Sequence, residues 1–102
     1  MATPTLANCI ARRIGCYELV EEMKRKPGLA VYKAVDVRSG QLAVLKTMQG
    51  GQLAEREAHR LREAMGREAA TLGRLRHPGI VRLLDRADDE AGNPYLVMEY
   101  VA

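Results

Sequence analysis

Leu42-Ala43-Val44-Leu45-Lys46 is the stretch that most restricts what this chain can fold into. Four apolar residues and a lysine read as a short buried strand, in which successive side chains point to opposite faces. Leu42, Val44 and Lys46 then share one face, and Ala43 and Leu45 share the other. A lysine that ends the apolar face of a buried strand is costly unless its ammonium meets an anion. The rest of the chain has to supply that anion.

A candidate follows on the next element. From Leu53 to Arg76 the chain is rich in Ala, Glu, Arg and Leu and free of proline, which is helical composition. Leu61, Met65, Leu72 and Leu75 fall on one helical stripe. The longest gap in that stripe is bridged by position 68, which is Glu68. A glutamate misplaced on an apolar helix face and a lysine misplaced on a strand make a pair. On periodicity alone, a second reading stands beside it: two amphipathic side chains reaching out to water.

In chain order, residues 1–16 carry Pro, Thr, Asn and Gly without a period and read as a flexible leader. Tyr17–Met23 alternates in part and meets a turn at Pro27-Gly28. Ala30–Val37 is a second strand, with Val31, Val35 and Val37 on one face. Ser39-Gly40 turns the chain into the lysine strand, Gln41–Met48, and the three strands form an antiparallel meander. The long helix follows, with Gly66 as a point of interruption, and stops before His77-Pro78-Gly79. Ile80–Asp85 is a fourth strand, Asp88–Pro94 a polar loop and Tyr95–Val101 a fifth strand. The order β-β-β-α-β-β predicts an α+β fold: a five-stranded antiparallel sheet with one main helix against it.

Composition narrows the function class. With 102 residues the chain is one domain with a modest core. A net charge of +3, with only Lys24-Arg25-Lys26 massed, leaves no strong footprint for nucleic acid. Tyr32 and Tyr95 read as strand residues rather than stacking platforms. Cys9 and Cys16 form neither a C-x-x-C nor a zinc-spaced cluster, which reads as reduced thiols. No stretch is long enough and apolar enough to span a bilayer and no signal-peptide core is present, so a cytoplasmic protein is the expectation. A membrane tether in a longer parent is left open.

From Tyr17 to Ala102 the residues resemble the amino-terminal lobe of a eukaryotic-type serine/threonine protein kinase, of the bacterial Hanks kind. Ala43-Val44-Leu45-Lys46 resembles the V-A-I-K strand. Glu68 and the run Leu72-Gly73-Arg74-Leu75-Arg76-His77-Pro78-Gly79-Ile80-Val81 resemble the paired helix and its exit, where His77 reads as a capping or packing residue. Leu96-Val97-Met98-Glu99-Tyr100-Val101 resembles the strand that enters the hinge between lobes. The resemblance implies that ATP is the cofactor, with Lys46 on its α- and β-phosphates and Glu68 pairing with Lys46. It implies Val31 and Val44 against the adenine ring and Met98 as gatekeeper. The backbone C=O of Glu99 and the backbone N–H of Val101 would then meet the adenine edge.

The sequence also departs from that family. Its phosphate loop reads G-x-G-x-x-G-x-V, and counting back from Val31 puts Lys24, Lys26 and Leu29 at the glycine positions, with Gly28 one place off. Those glycines let backbone N–H groups approach phosphate. Either Lys24 and Lys26 contact phosphate through their ammonium groups, or the loop is degenerate and binds nucleotide weakly; the sequence favours the second. Residues 17–102 would thus be a partial kinase domain ending at the hinge. The carboxy-terminal lobe, with the catalytic base, the Mg2+ ligands and the protein-substrate site, would be a missing partner, and the chain alone would not phosphorylate anything. The alternatives are a pseudokinase or scaffold lobe, and a stand-alone α+β interaction domain.

Overall fold

The computed structural model describes residues 12–49, 51, 53–74 and 81–101. Six strands and one helix follow one another as β1 (Arg13–Ile14), β2 (Tyr17–Lys26), β3 (Leu29–Asp36), β4 (Leu42–Met48), α1 (Glu55–Arg74), β5 (Leu83–Asp88) and β6 (Pro94–Glu99). The strands form one sheet in the order β1-β2-β3-β4-β6-β5, antiparallel at every step.

Local chemistry sets the reversals. Gly28 takes φ +78° in the β2–β3 turn and Gly40 takes φ +77° before β4, a region that costs glycine little. Asp36 holds the second reversal, its carboxylate accepting the Arg38 N–H at 2.9 Å and its carbonyl the Gly40 N–H at 2.7 Å. Asp89 does the same before β6, accepting the N–H groups of Ala91 and Asn93, each at 2.9 Å.

The sheet is curled, so its two faces carry two cores. On the inner face Ile14, Tyr17, Tyr32, Leu45, Tyr95 and Val97 pack together with Ala30, Ala34 and Ala43. Although three strands separate β2 from β5 in the sheet order, the Tyr17 hydroxyl donates to Asp85 Oδ2 at 3.3 Å. On the outer face α1 lays Ala58, Met65 and Ala69 against Met48 of β4 and Leu96 of β6, flanked by Leu29, Leu53, Leu61 and Leu83. The helix begins where the Ala58 N–H donates to the Ala54 carbonyl at 2.9 Å. Glu55 and Glu57 in its first turn complement the helix dipole.

The sequence expectations and the structure differ at four places. Arg13–Ile14 lies inside the expected leader, yet Gly15, at φ +60°, folds it back onto Tyr17 and Glu18 as a sixth strand. Residues 1–11 of that leader lie outside the described residues. Strand β2 runs on to Lys26 rather than stopping at Met23. The helix is continuous through Gly66, where a Cβ would meet Arg86 Nη2 at 3.6 Å, an ordinary contact distance. The fourth expected strand is displaced, running over Leu83–Asp88, with Val81 and Arg82 outside it. His77 and Leu75 lie outside the described residues.

Candidate functional site

Register defines the site. Lys24 pairs with Val31, Val31 with Lys46, Lys46 with Leu96 and Leu96 with Arg86. Directly paired residues of antiparallel strands project to the same face, so one row of side chains crosses five strands on the helix side. Lys46 stands in the middle of it. Its stem is flanked by Val31 and Leu96, and its Nζ lies 2.8 Å from Glu68 Oε1 and 3.1 Å from Glu68 Oε2. The lysine and glutamate side chains are 24% and 36% exposed, so the pair is partly open to solvent. Glu68 reaches it because Met65 and Ala69, on either side, are buried against the sheet.

The next row holds the apolar residues. Val44 pairs with Met98, which pairs with Leu83 on its far side. Val31, Val44 and Met98 are all half-buried on the same face as Lys46. An apolar strip ending at an ammonium suits a flat ring carrying a phosphate tail, so these side chains fit ATP. Among the described residues no group of three or more His, Cys, Asp or Glu side chains could hold a metal ion, so they do not fit Mg2+.

The other expected site residues lie in β2, in the β2–β3 turn and at or beyond the end of β6. Glu99 pairs with Ala43, which is buried in the inner core, so its side chain leaves the Lys46 face. Its Oε1 accepts the Arg82 N–H at 3.0 Å, and its own N–H donates to the Arg82 carbonyl at 3.0 Å. Val101, beyond β6, is 67% exposed. Gly28 is buried in the β2–β3 turn, where a Cβ would run into the Leu53 side chain. Lys24 and Lys26 are exposed near the end of β2.

Two residues of the same face escaped sequence reasoning. Lys33 pairs with Val44, and its Nζ lies 5.0 Å from the centroid of the Tyr100 ring, within cation–π range. Lys33 is two residues beyond Val31 on β3, so strand alternation alone could have placed it here. The Tyr100 contact has no such signal, because it joins positions far apart in sequence. A cavity of about 960 Å3 lies away from this site, between Arg12, Ile14, Arg25 and Thr47 on one side and Asp88 and Asn93 on the other.

Comparison with known proteins follows the same line. No family model matches the sequence. The serine/threonine-protein kinase atg1 of Aspergillus niger is 36% identical over 89 residues, which is 87% of this chain and 8% of that protein. The probable serine/threonine-protein kinase SCO3848 of Streptomyces coelicolor is 38% identical over 94 residues, 88% of this chain and 14% of that one. The DNA damage-responsive serine/threonine-protein kinase RqkA of Deinococcus radiodurans is 38% identical over 85 residues, 82% and 12% of the two chains. The chain thus spans between 8% and 14% of the length of these relatives. Among solved structures, the apo form of PpkA-294 superposes with a TM-score of 0.76 at 20% identity over 90% of this chain and 38% of that one. The Mycobacterium tuberculosis PknI kinase domain does so with a TM-score of 0.65 at 24% identity over 89% and 35%; these two likenesses speak to fold. Sequence kinship with the kinases and the curled sheet with a helix packed on it lead to one assignment: the chain belongs to the eukaryotic-type serine/threonine protein kinases, as their amino-terminal lobe.

Proposed function

We propose that this lobe binds ATP and, in company with a carboxy-terminal lobe, serves phosphoryl transfer to protein serine or threonine. The observation that supports the reading is the Lys46–Glu68 ion pair, at 2.8 Å, on the face that also carries Val31, Val44 and Met98. When bound, ATP supplies the phosphoryl group. The residues of this chain hold and orient. The Lys46 ammonium, a compact point charge, meets the α- and β-phosphates, and Glu68 fixes the direction of its flexible stem. Val31 and Val44 cover the adenine ring, with Met98 behind it. The Glu99 carbonyl and the Val101 N–H meet the adenine edge through the backbone, a role that leaves the Glu99 carboxylate free for Arg82. Metal ligands, the catalytic base and the protein-substrate site belong, in this reading, to the second lobe. A cytoplasmic setting, where ATP is found, is part of the proposal; no described helix is long and apolar enough to cross a membrane.

The test is an NMR titration of the isotope-labelled chain with ATP at millimolar concentration. Amide shifts at Val31, Val44, Met98 and Val101, weakened by Lys46→Met, are expected. No shift at any of these positions would favour a scaffold lobe that has given up nucleotide.

A further inference from the structure

Strand β2 carries two β-bulges, one between Leu19 and Glu21 and one between Glu22 and Lys24. The extra residues, Val20 and Met23, are unpaired in the ladder and are 55% and 51% exposed. A bulge reverses the phase of every side chain beyond it. Glu22 pairs with Tyr32 of the inner core, so an unbulged strand would send Lys24 and Lys26 to that inner face and Arg25 to the Lys46 face. The bulge at Met23 inverts this. Lys24 pairs with Val31 and Lys26 with Leu29, both on the Lys46 face, while Arg25 pairs with Ala30 of the inner core.

The charges then sort themselves by face. Arg25 is neutralised, its Nη2 lying 2.6 Å from Glu22 Oε1 and 3.1 Å from the Tyr32 hydroxyl. Lys24 and Lys26 make no ion pair among the described residues. On this face Glu68 is committed to Lys46, and Glu21 stands opposite Lys33. Leu29 does not shield the lysines from a ligand, because it packs down onto the Met48 and Leu96 cluster. Two strand spacings, roughly 10 Å, separate the backbones of Lys24 and Lys46, with only the half-buried Val31 between them.

We infer that Lys24 and Lys26 are side-chain ligands for the distal phosphates of a nucleoside triphosphate, replacing by charge the backbone cradle of a glycine loop. The inference rests on the nucleotide reading above and adds to it how the phosphates are counted. Lys46 holds the inner phosphates, and the two β2 lysines hold the outer ones. Binding then depends on phosphate number and falls with salt, because the two ammonium groups are exposed.

The experiment is the same NMR titration with ATP, ADP, AMP and inorganic tripolyphosphate, on the wild-type chain and on Lys24→Gln, Lys26→Gln and the Lys24→Gly/Lys26→Gly double variant. Each spectrum also reports whether the variant is folded. The expected order is ATP, then ADP, then AMP. Each glutamine variant should bind ATP and tripolyphosphate about two- to fivefold more weakly, the range set by losing an exposed ion pair. AMP should bind the glutamine variants as it binds wild type. The glycine variant separates charge from obstruction: weaker ATP binding supports the inference, and equal or tighter binding overturns it. Glutamine variants that bind ATP as well as wild type also overturn it. Equal affinity of wild type for all three adenine nucleotides sinks this inference alone. No response to any adenine nucleotide sinks the nucleotide reading and this inference with it.

Discussion

Lys46 Nζ lies between the two oxygens of Glu68, at 2.8 and 3.1 Å, and so ties the central strand of the sheet to the middle of its only described helix. Beside this pair, α1 packs the apolar Met65 and Ala69 against Met48 and Leu96. The polar pair is therefore the contact that fixes direction, since apolar packing is non-directional.

Removing either partner should show a measurable coupling. With the side chains 24% and 36% exposed, solvent screens the pair, and its worth is about 0.5–1 kcal/mol. In a double-mutant cycle on urea unfolding, Lys46→Met and Glu68→Gln should together cost less than the sum of the two singles by that amount. Additive losses would mean that the groups are adjacent without being coupled.

A second expectation concerns the helix alone. Gly66 lies in the interior of α1, where glycine costs roughly 0.8–1 kcal/mol relative to alanine. A Cβ there would meet Arg86 Nη2 at 3.6 Å, ordinary contact distance. Gly66→Ala should thus raise stability by about 0.5–1 kcal/mol, read as a higher urea midpoint. A lower midpoint would mean that β5 needs the gap.

These two positions also show how far the sequence was legible. The Lys46 strand and the helical stripe around Glu68 were readable because each is a local period interrupted by one charge. The alternation of Tyr17–Met23 read as only partial, and the reason is now physical. Bulges at Val20 and Met23 break its phase, and nothing local announces them. The displacement of β5 has a similar cause. The apolar run around Val81–Leu84 drew the expected strand toward it, yet the ladder to β6 is made by Leu83–Asp88, an edge strand that alternates half-buried and exposed residues. Strand β1 is too short to show a period, and its pairing depends on the reversal at Gly15. Of the site, pattern offered the Lys46–Glu68 pairing only beside a reading with both side chains in water, and the family resemblance favoured the pairing. The facing of Lys24 and Lys26 was not legible, because it depends on counting through a bulge.

Gly28 should behave oppositely to Gly66. It combines φ +78° with a Cβ position inside the Leu53 side chain. Both the backbone strain and the overlap oppose any larger residue, and Gly28→Ala should cost about 2 kcal/mol. Adding Leu53→Ala relieves the overlap but not the strain, so the double variant should lose less than the sum of the singles in thermal unfolding. A neutral Gly28→Ala would mean that the turn can change type.

Alkaline pH should open the curl of the sheet. Tyr17 is 3% exposed, and burial, followed by the nearby Asp85 carboxylate, pushes its pKa from 10.0 up to about 12. The folded state therefore keeps this proton to higher pH than the unfolded chain does. The sign follows from linkage: the contribution is complete below pH 10, and it is lost as pH rises from 10 to about 12. Two pH units correspond to roughly 2–3 kcal/mol. Tyr95, also buried and also facing Asp85, is shifted the same way, so some alkaline sensitivity remains without Tyr17. Tyr17→Phe removes the donor to Asp85 and should cost about 1 kcal/mol at neutral pH. Its stability should then fall less steeply than that of wild type between pH 10 and 12, in urea unfolding at matched ionic strength. Parallel losses in the two proteins would show that Tyr17 ionises as readily folded as unfolded, and that its hydroxyl does not hold the two ends of the sheet together.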